Sequence, residues 1–261
     1  MQTNAIDFRN PSPFKAVNTY SHLRLGDVHT LAEVLACLDE LRRAQPDTRF
    51  LCTLDDLSQC CYTSMHACED DRLLADDEDS NVDFDDPMAV HAFEAARLAH
   101  VQTQLDLPAL RQDWRDVAGT LVISAEDVGV LVDMNQSPDK VIAHDDVVYV
   151  QRVPVPRDDL LIAGLPNGYF SSDWDVFQNH AVIRHLEAAH GYRIFGIGAS
   201  WLGFVREECP DVAEARALVD DLAALYAPQD AAAAVAAWSE LASLLTSRKT
   251  LLLGYTENFA E

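Results

Sequence analysis

YRIFGIGASWLGFVR (192–206) contains two β-rich runs, YRIFGIG (192–198) and WLGFVR (201–206), separated by Ala199 and Ser200. Both read as strands. The segment before them reads as a helix from about Asp173 to Ala189. Ser172 can cap it, Trp174, Phe177, Ala181, Ile183 and Leu186 point inward, and Gly191 can end it. Behind them, Cys209-Pro210 opens a helix with Val212, Ala215, Leu218, Val219 and Leu222 along one side. Another follows Pro228 and carries Val235, Trp238, Leu241 and Leu245, after which TLLLGYT (250–256) can return to the sheet. Upstream, TLVIS (120–124), VGVLVDM (128–134), KVIAH (140–144), VVYVQRV (147–153) and LLIAGL (160–165) are short apolar runs split by turn-prone residues. They predict an antiparallel meander.

The N-terminal half has a different texture. Val28, Leu31, Val34, Leu35, Leu38 and Leu41 recur on one helical face that Pro46 closes, and RFLCTL (49–54) can be a strand. Asp86-Pro87 suits a helix start, carrying Met88, Ala92, Ala95 and Leu98 toward the core. The expected fold is α+β. A helix-rich N-terminal region, 1–115, has an acidic loop at 69–86; residues 116–261 form a mostly antiparallel sheet covered by helices. The two parts can equally form one domain. Strands and helices do not alternate regularly enough for a doubly wound fold.

The 261-residue chain carries a formal charge of −24. That argues against nucleic acid or an anionic membrane surface as a partner, because each phosphate contact needs a compensating cation. It favours basic partners, which a negative field steers inward, although solubility alone also accounts for such a charge. No apolar run reaches the roughly 18 residues of a membrane span. The N-terminus MQTNAIDFRNPSPF has neither a charged leader nor an apolar core, so a cytoplasmic protein is expected. The six cysteines form no compact disulfide framework, which agrees with a reducing compartment.

Between Ser58 and Asp86 the chain reads SQCCYTSMHACEDDRLLADDEDSNVDFDD. Cys60, Cys61, His66 and Cys68 offer zinc-type ligands, but without the two separated pairs that close a tetrahedron. Asp79, Asn81, Asp83 and Asp85 alternate as a calcium loop does. Yet Phe84 stands where the turn needs glycine and Val90 where the bidentate glutamate belongs. No metal and no cofactor is therefore expected. What remains is charge: residues 69–86 hold ten acidic side chains against Arg72. Such a run stays solvated unless a cationic partner engages it.

GIGASWLG (196–203) matches neither enzyme motif it suggests. Trp201 occupies the sixth position, where a dinucleotide loop needs glycine, and Ser200 is one step out of register for a nucleophile elbow. Its glycines read as close packing or a bulge between strands. His180, His185 and His190 follow one another at five-residue intervals, each turned by about 140°, and so are not expected to converge. His144 beside Asp145 and Asp146 is a better local pair. No catalytic residue is named.

GYFSSDWDVFQNHAVIRHLEAAHGYRIFGIGASWLGFVRE (168–207) resembles a bacterial domain family of unknown function, with members among immunity proteins of type VI and contact-dependent toxin systems. The features that carry it are Gly168-Tyr169-Phe170, Asp173-Trp174, Phe177, Gly191-Tyr192 and Gly196-Ile197-Gly198. The resemblance implies a non-enzymatic protein that binds and occludes one cognate, basic, secreted toxin. On that reading Asp76, Asp77, Glu78, Asp79, Asp83, Asp85 and Asp86 form the electrostatic contact, and Tyr62 and Phe84 are the apolar anchors. Two alternatives stay open. One is an enzyme, a hydrolase or small-molecule modifier, whose dispersed site joins His144 or His180 to carboxylates. The other is an acidic regulatory or scaffold protein.

Overall fold

The computed structural model describes residues 1–10, 12–74, 82–142, 147–257 and 259–260. Seven strands form one sheet: β1 (Gln2–Ala5), β2 (Ser21–Gly26), β3 (Arg49–Thr53), β4 (Val147–Val153), β5 (Arg193–Ile197), β6 (Trp201–Val205) and β7 (Thr250–Gly254). Their order is β1-β2-β4-β3-β5-β6-β7, antiparallel throughout except where β3 runs parallel to β5. The fold is α+β with a mostly antiparallel sheet, as expected. The sheet draws β1–β3 from before residue 116 and β4–β7 from after it, so its hydrogen bonding is continuous across that point.

Eight α-helices complete the described chain: α1 (Leu31–Ala44), α2 (Leu57–Ala67), α3 (Pro87–Asp106), α4 (Trp114–Val117), α5 (Ala125–Gln136), α6 (Val176–His190), α7 (Val212–Tyr226) and α8 (Ala231–Leu245). The starts of α1 and α6 show why helices form there. Thr30 caps the Glu33 N–H while Glu33 reaches back, and Asp175 and Gln178 do the same for α6 at 2.8 Å each way. The cap of α6 is thus Asp175, not Ser172. In β3 and β7, Phe50, Leu51 and Cys52, and Leu251, Leu252 and Leu253, are successive residues with no exposure. Side chains alternate across a sheet, so both faces are covered there. None of the helices is long and apolar enough to cross a membrane.

The antiparallel meander expected over 120–165 reduces to β4. VGVLVDM lies in α5, where Ser124 and Asp127 form a capping box and Val128, Leu131, Val132 and Asn135 face inward at helical spacing. KVIAH begins in a 3-10 turn (Pro138–Val141) and ends outside the described residues. LLIAGL belongs to a second 3-10 turn (Asp158–Gly164), buried from Asp159 onward. A short, wholly buried apolar run has no periodicity to separate strand from turn. On α3 the buried residues are Leu98, Val101 and Leu105, whereas Met88, Ala92 and Ala95 are exposed because the early turns pack through another face, with His91 against Phe8 and Glu94 bonding Thr19. Val212 and Val235 also face outward. Strands β1 and β2 and helix α2 had no reading in the sequence.

Two contacts close the sheet. β7 is an edge strand, and the buried Asn135 side chain covers its edge. Asn135 Nδ2 donates to Leu252 O at 2.9 Å and Asn135 Oδ1 accepts from Leu252 N–H at 2.8 Å. At the other contact, Asp55 after β3 meets the β5–β6 turn. Its Oδ2 accepts from the Ser200 N–H at 3.0 Å, and its backbone oxygen from the Ala199 N–H at 3.2 Å. A Cβ on Gly198 would stand 1.8 Å from Asp55 Oδ1, so only glycine permits this approach. The glycine-rich run is therefore a packing device. Burial pushes the Asp55 carboxyl up to about 7, against the lowering effect of the Ser200 and Trp201 N–H groups.

Asn135→Leu keeps the volume and strands two buried backbone groups at about 1–3 kcal/mol each. Urea denaturation should show a loss of about 3 kcal/mol; a loss below about 0.5 kcal/mol would refute the role assigned to this side chain. Because the folded Asp55 carboxyl binds its proton more tightly than the unfolded one, its contribution is complete below about pH 4 and lost as pH rises through about 7. The Asp55→Asn variant should therefore gain in thermal midpoint relative to the parent between about pH 5 and about pH 8, read by scanning calorimetry. A constant difference would show that Asp55 does not titrate in this range.

Candidate protein-binding surface

Helix α2 has two faces of different chemistry. Cys60, Thr63, Ser64 and Ala67 are buried at i, i+3, i+4 and i+7. Tyr62, Met65 and His66 occupy the opposite face, with Tyr62 48% and Met65 56% exposed. Asp56 starts the helix, its side chain accepting from the Gln59 N–H at 2.9 Å.

The buried face is pinned by Asn167, which has no exposure. The Thr63 hydroxyl donates to Asn167 Oδ1, and Asn167 Nδ2 donates to Cys60 O at 3.4 Å. Asn179 of α6 donates to Asn167 O at 3.2 Å and to Trp174 O at 3.0 Å. The next residue, Gly168, has φ +99°, and a Cβ there would stand 1.9 Å from Trp174 O. This turn projects Tyr169 and Phe170 outward, 46% exposed each.

The result is a run of rings across two elements. Tyr62 meets His66 edge-on at 4.5 Å, His66 stacks on Tyr169 at 4.8 Å, and Tyr169 meets Phe170 at 5.3 Å. Carboxylates border a hollow of about 440 Å³ beside these rings: Glu69, Asp70, Asp173 and Asp175. Glu69 Oε2 lies 3.1 Å from His66 Nδ1. Burial pushes Asp173 up to about 6, against the lowering hydrogen bond from the Glu257 N–H. Arg72, the sole cation of residues 69–86, is turned inward. Its guanidinium bonds Asp70 at 2.9 Å and Asp175 at 2.7 Å and lies 4.4 Å over the Phe177 ring.

Tyr62 is thus the expected residue that enters this cluster. Met65, His66, Tyr169 and Phe170 were not singled out as contacts; the helical spacing of Tyr62, Met65 and His66 was the available signal. Phe84 is 66% exposed and belongs to a separate hollow of about 330 Å³ with Phe8 and Phe14, its ring 6.0 Å from Phe93. Asp83, Asp85 and Asp86 are exposed near it; Asp86 also caps α3 through the Met88 N–H at 2.9 Å. Asp76, Asp77, Glu78, Asp79 and the His144–Asp145–Asp146 group lie outside the described residues. Of the sulfur-rich cluster, Cys60 points inward to Ile197 O while His66 faces outward.

A second concavity mixes arginines with the carboxylates Asp113, Asp158, Asp159 and Glu187. A cavity of about 960 Å³ is lined by Arg49, Arg111, Arg115, Arg157 and Arg184, five of the chain's 19 basic residues. Arg157 is held by Asp106 at 2.7 Å and Asp159 at 2.9 Å, and Arg49 by Asp158 at 3.0 Å. Burial lowers the Arg184 guanidinium, as does neighbouring Arg111. Arg111 and Arg115 are exposed. Behind the wall, His180 Nε2 lies 3.0 Å from Asp159 Oδ2, and His180 is only 2% exposed. Burial alone would raise the Asp159 carboxyl; the hydrogen bonds from His180 and Arg157 outweigh it and hold it well below the usual range. His185 and His190 do converge, on Asp221 of α7, because a residue from a second helix bridges the angle between them.

No family model matches this chain, and neither a curated protein nor a solved structure matches it either.

Proposed function

We propose that this chain is a binding protein for a basic protein partner, engaged through Tyr62, Met65, His66, Tyr169 and Phe170. The observation that carries this reading is an exposed aromatic cluster bordered by four carboxylates against one arginine, Arg72, which pairs with two of them. Binding energy concentrates on aromatic anchors that a partner can desolvate, while the surrounding charge sets encounter rate and selectivity. A net charge of −24 supplies the attraction at a distance, and Asp76, Asp77, Glu78, Asp79, Asp83, Asp85 and Asp86 extend it. The resemblance over 168–207 makes the partner a secreted toxin, which this protein would neutralise by covering its active site without turnover of its own.

The test is complex formation with the product of the adjacent gene, purified in inactive form. The Tyr62→Ala/Tyr169→Ala variant should weaken the complex about tenfold or more, chiefly through faster dissociation. Changing Asp76, Asp77, Asp79, Asp83, Asp85 and Asp86 to asparagine should slow association and flatten its salt dependence. The absence of any complex, or parental kinetics in both variants, would refute the assignment.

The arginine-lined cavity favours a second reading, a binder or modifier of a small anionic molecule. Inorganic pyrophosphate should then raise the thermal midpoint of the parent but not of the Arg111→Ala/Arg115→Ala variant. An equal response in both would remove the cavity from consideration.

A further inference from the structure

Near the C-terminal end of α6, two histidines and an aspartate from α7 aim three ligand atoms at one point. His185 Nε2 lies 2.7 Å and His190 Nε2 2.9 Å from the same oxygen, Asp221 Oδ2. The three atoms all fall within 4.8 Å of one another. His190 is 9% exposed by side chain and His185 26%, while Asp221, at 39%, faces solvent. The Trp114 ring stacks on His185 at 4.0 Å and 20°, which restrains the imidazole. His190 is the last residue of α6, immediately before the left-handed Gly191.

We infer that His185, His190 and Asp221 form a binding site for a divalent transition-metal ion, with zinc the first candidate. Ligand bonds of about 2.1 Å in a tetrahedral set put donor atoms about 3.4 Å apart. The two nitrogen–oxygen separations therefore need to open by about 0.5–0.7 Å, a shift within side-chain adjustment. Two imidazoles and one carboxylate suit zinc, iron(II), cobalt or nickel. They do not suit calcium or magnesium, which take oxygen ligands throughout, nor the soft ions that select thiolates. Three protein ligands leave a position for water on the solvent side at Asp221. Each imidazole would bind through Nε2 as the neutral Nδ1–H tautomer, so the proton Nε2 now shares with the carboxylate shifts to Nδ1 or, from an imidazolium, is released to solvent.

Two consequences follow from the placement. The ion would clamp the end of α6 to α7. It would also add positive charge beside the arginine-lined cavity, whose wall includes His185 and Trp114.

The test uses the full chain stripped of metal with a chelator. Zinc titrated by calorimetry should reveal a saturable site whose affinity falls about tenfold or more in Asp221→Asn and, independently, in His190→Gln. Asp221→Asn keeps size and an acceptor oxygen at a half-exposed position, so its metal-free thermal midpoint should stay near the parent's. Cobalt(II) bound to the parent should show visible ligand-field bands without thiolate charge transfer. Zinc affinity unchanged in both variants, no saturable binding at all, or a cobalt spectrum dominated by thiolate would overturn the assignment. The last outcome would place the ion on the cysteines of α2 instead.

Discussion

The buried Asn167 amide is the constraint on which the candidate surface depends. It satisfies α2 through Thr63 and Cys60 and is itself held by Asn179 of α6. An unpaired amide in that position would cost about 1–3 kcal/mol for each group left without a partner, so the three elements are fixed together or not at all. With α2 and α6 locked, Gly168 can take its positive φ, and the two residues after it leave the core. Tyr169 reaches His66 because a polar contact two residues earlier sets where the turn begins. The aromatic cluster is a surface feature with a buried cause.

Charge is partitioned in the same architectural manner. A chain this acidic has few cations, and several of them are used internally or gathered in one place. Arg72 joins α6 to the segment after α2; Arg157 and Arg49 brace the 3-10 turn at Asp158–Gly164 through Asp106, Asp159 and Asp158. Arg111 and Arg115 remain exposed beside the cavity. Of the carboxylates around the hollow beside Tyr169, Asp70 and Asp175 share the single Arg72, whereas Glu69 and Asp173 have no arginine or lysine partner among the described residues, which leaves that surface net negative. Bidentate pairing of arginine with carboxylate favours this arrangement, because each planar fork can hold two segments in register.

Where the sequence reading succeeded, the signal was local. α1, α7 and α8 show apolar spacing and end signals within their own residues, β4–β6 are rich in β-branched or aromatic residues, and β7 is a short leucine run. Helix α5 was misread because VGVLVDM is rich in β-formers, yet Ser124-x-x-Asp127 marks a helix start and the buried positions recur every three or four residues. LLIAGL was misread for a different reason: a segment buried on every side has lost the periodicity that would reveal it. In helix α2 the clustered cysteines and His66 resemble a ligand run and mask the helical spacing beneath it. On it, Tyr62 could be named from its place beside the acidic run, whereas Met65 and His66 required knowing that the segment is helical.

The α+β class, the acidity and the absence of familiar reaction motifs were legible in the residues alone. These depend on composition and on patterns shorter than one element. That His66 stands between Tyr62 and Tyr169, that five arginines share one cavity, and that His185 and His190 meet at Asp221 emerged only from the packing. Each of these joins residues from different elements, and their separation depends on how α2, α6 and α7 pack. Periodicity can orient a side chain on its own helix, but it carries no information about which partner the next helix brings to it.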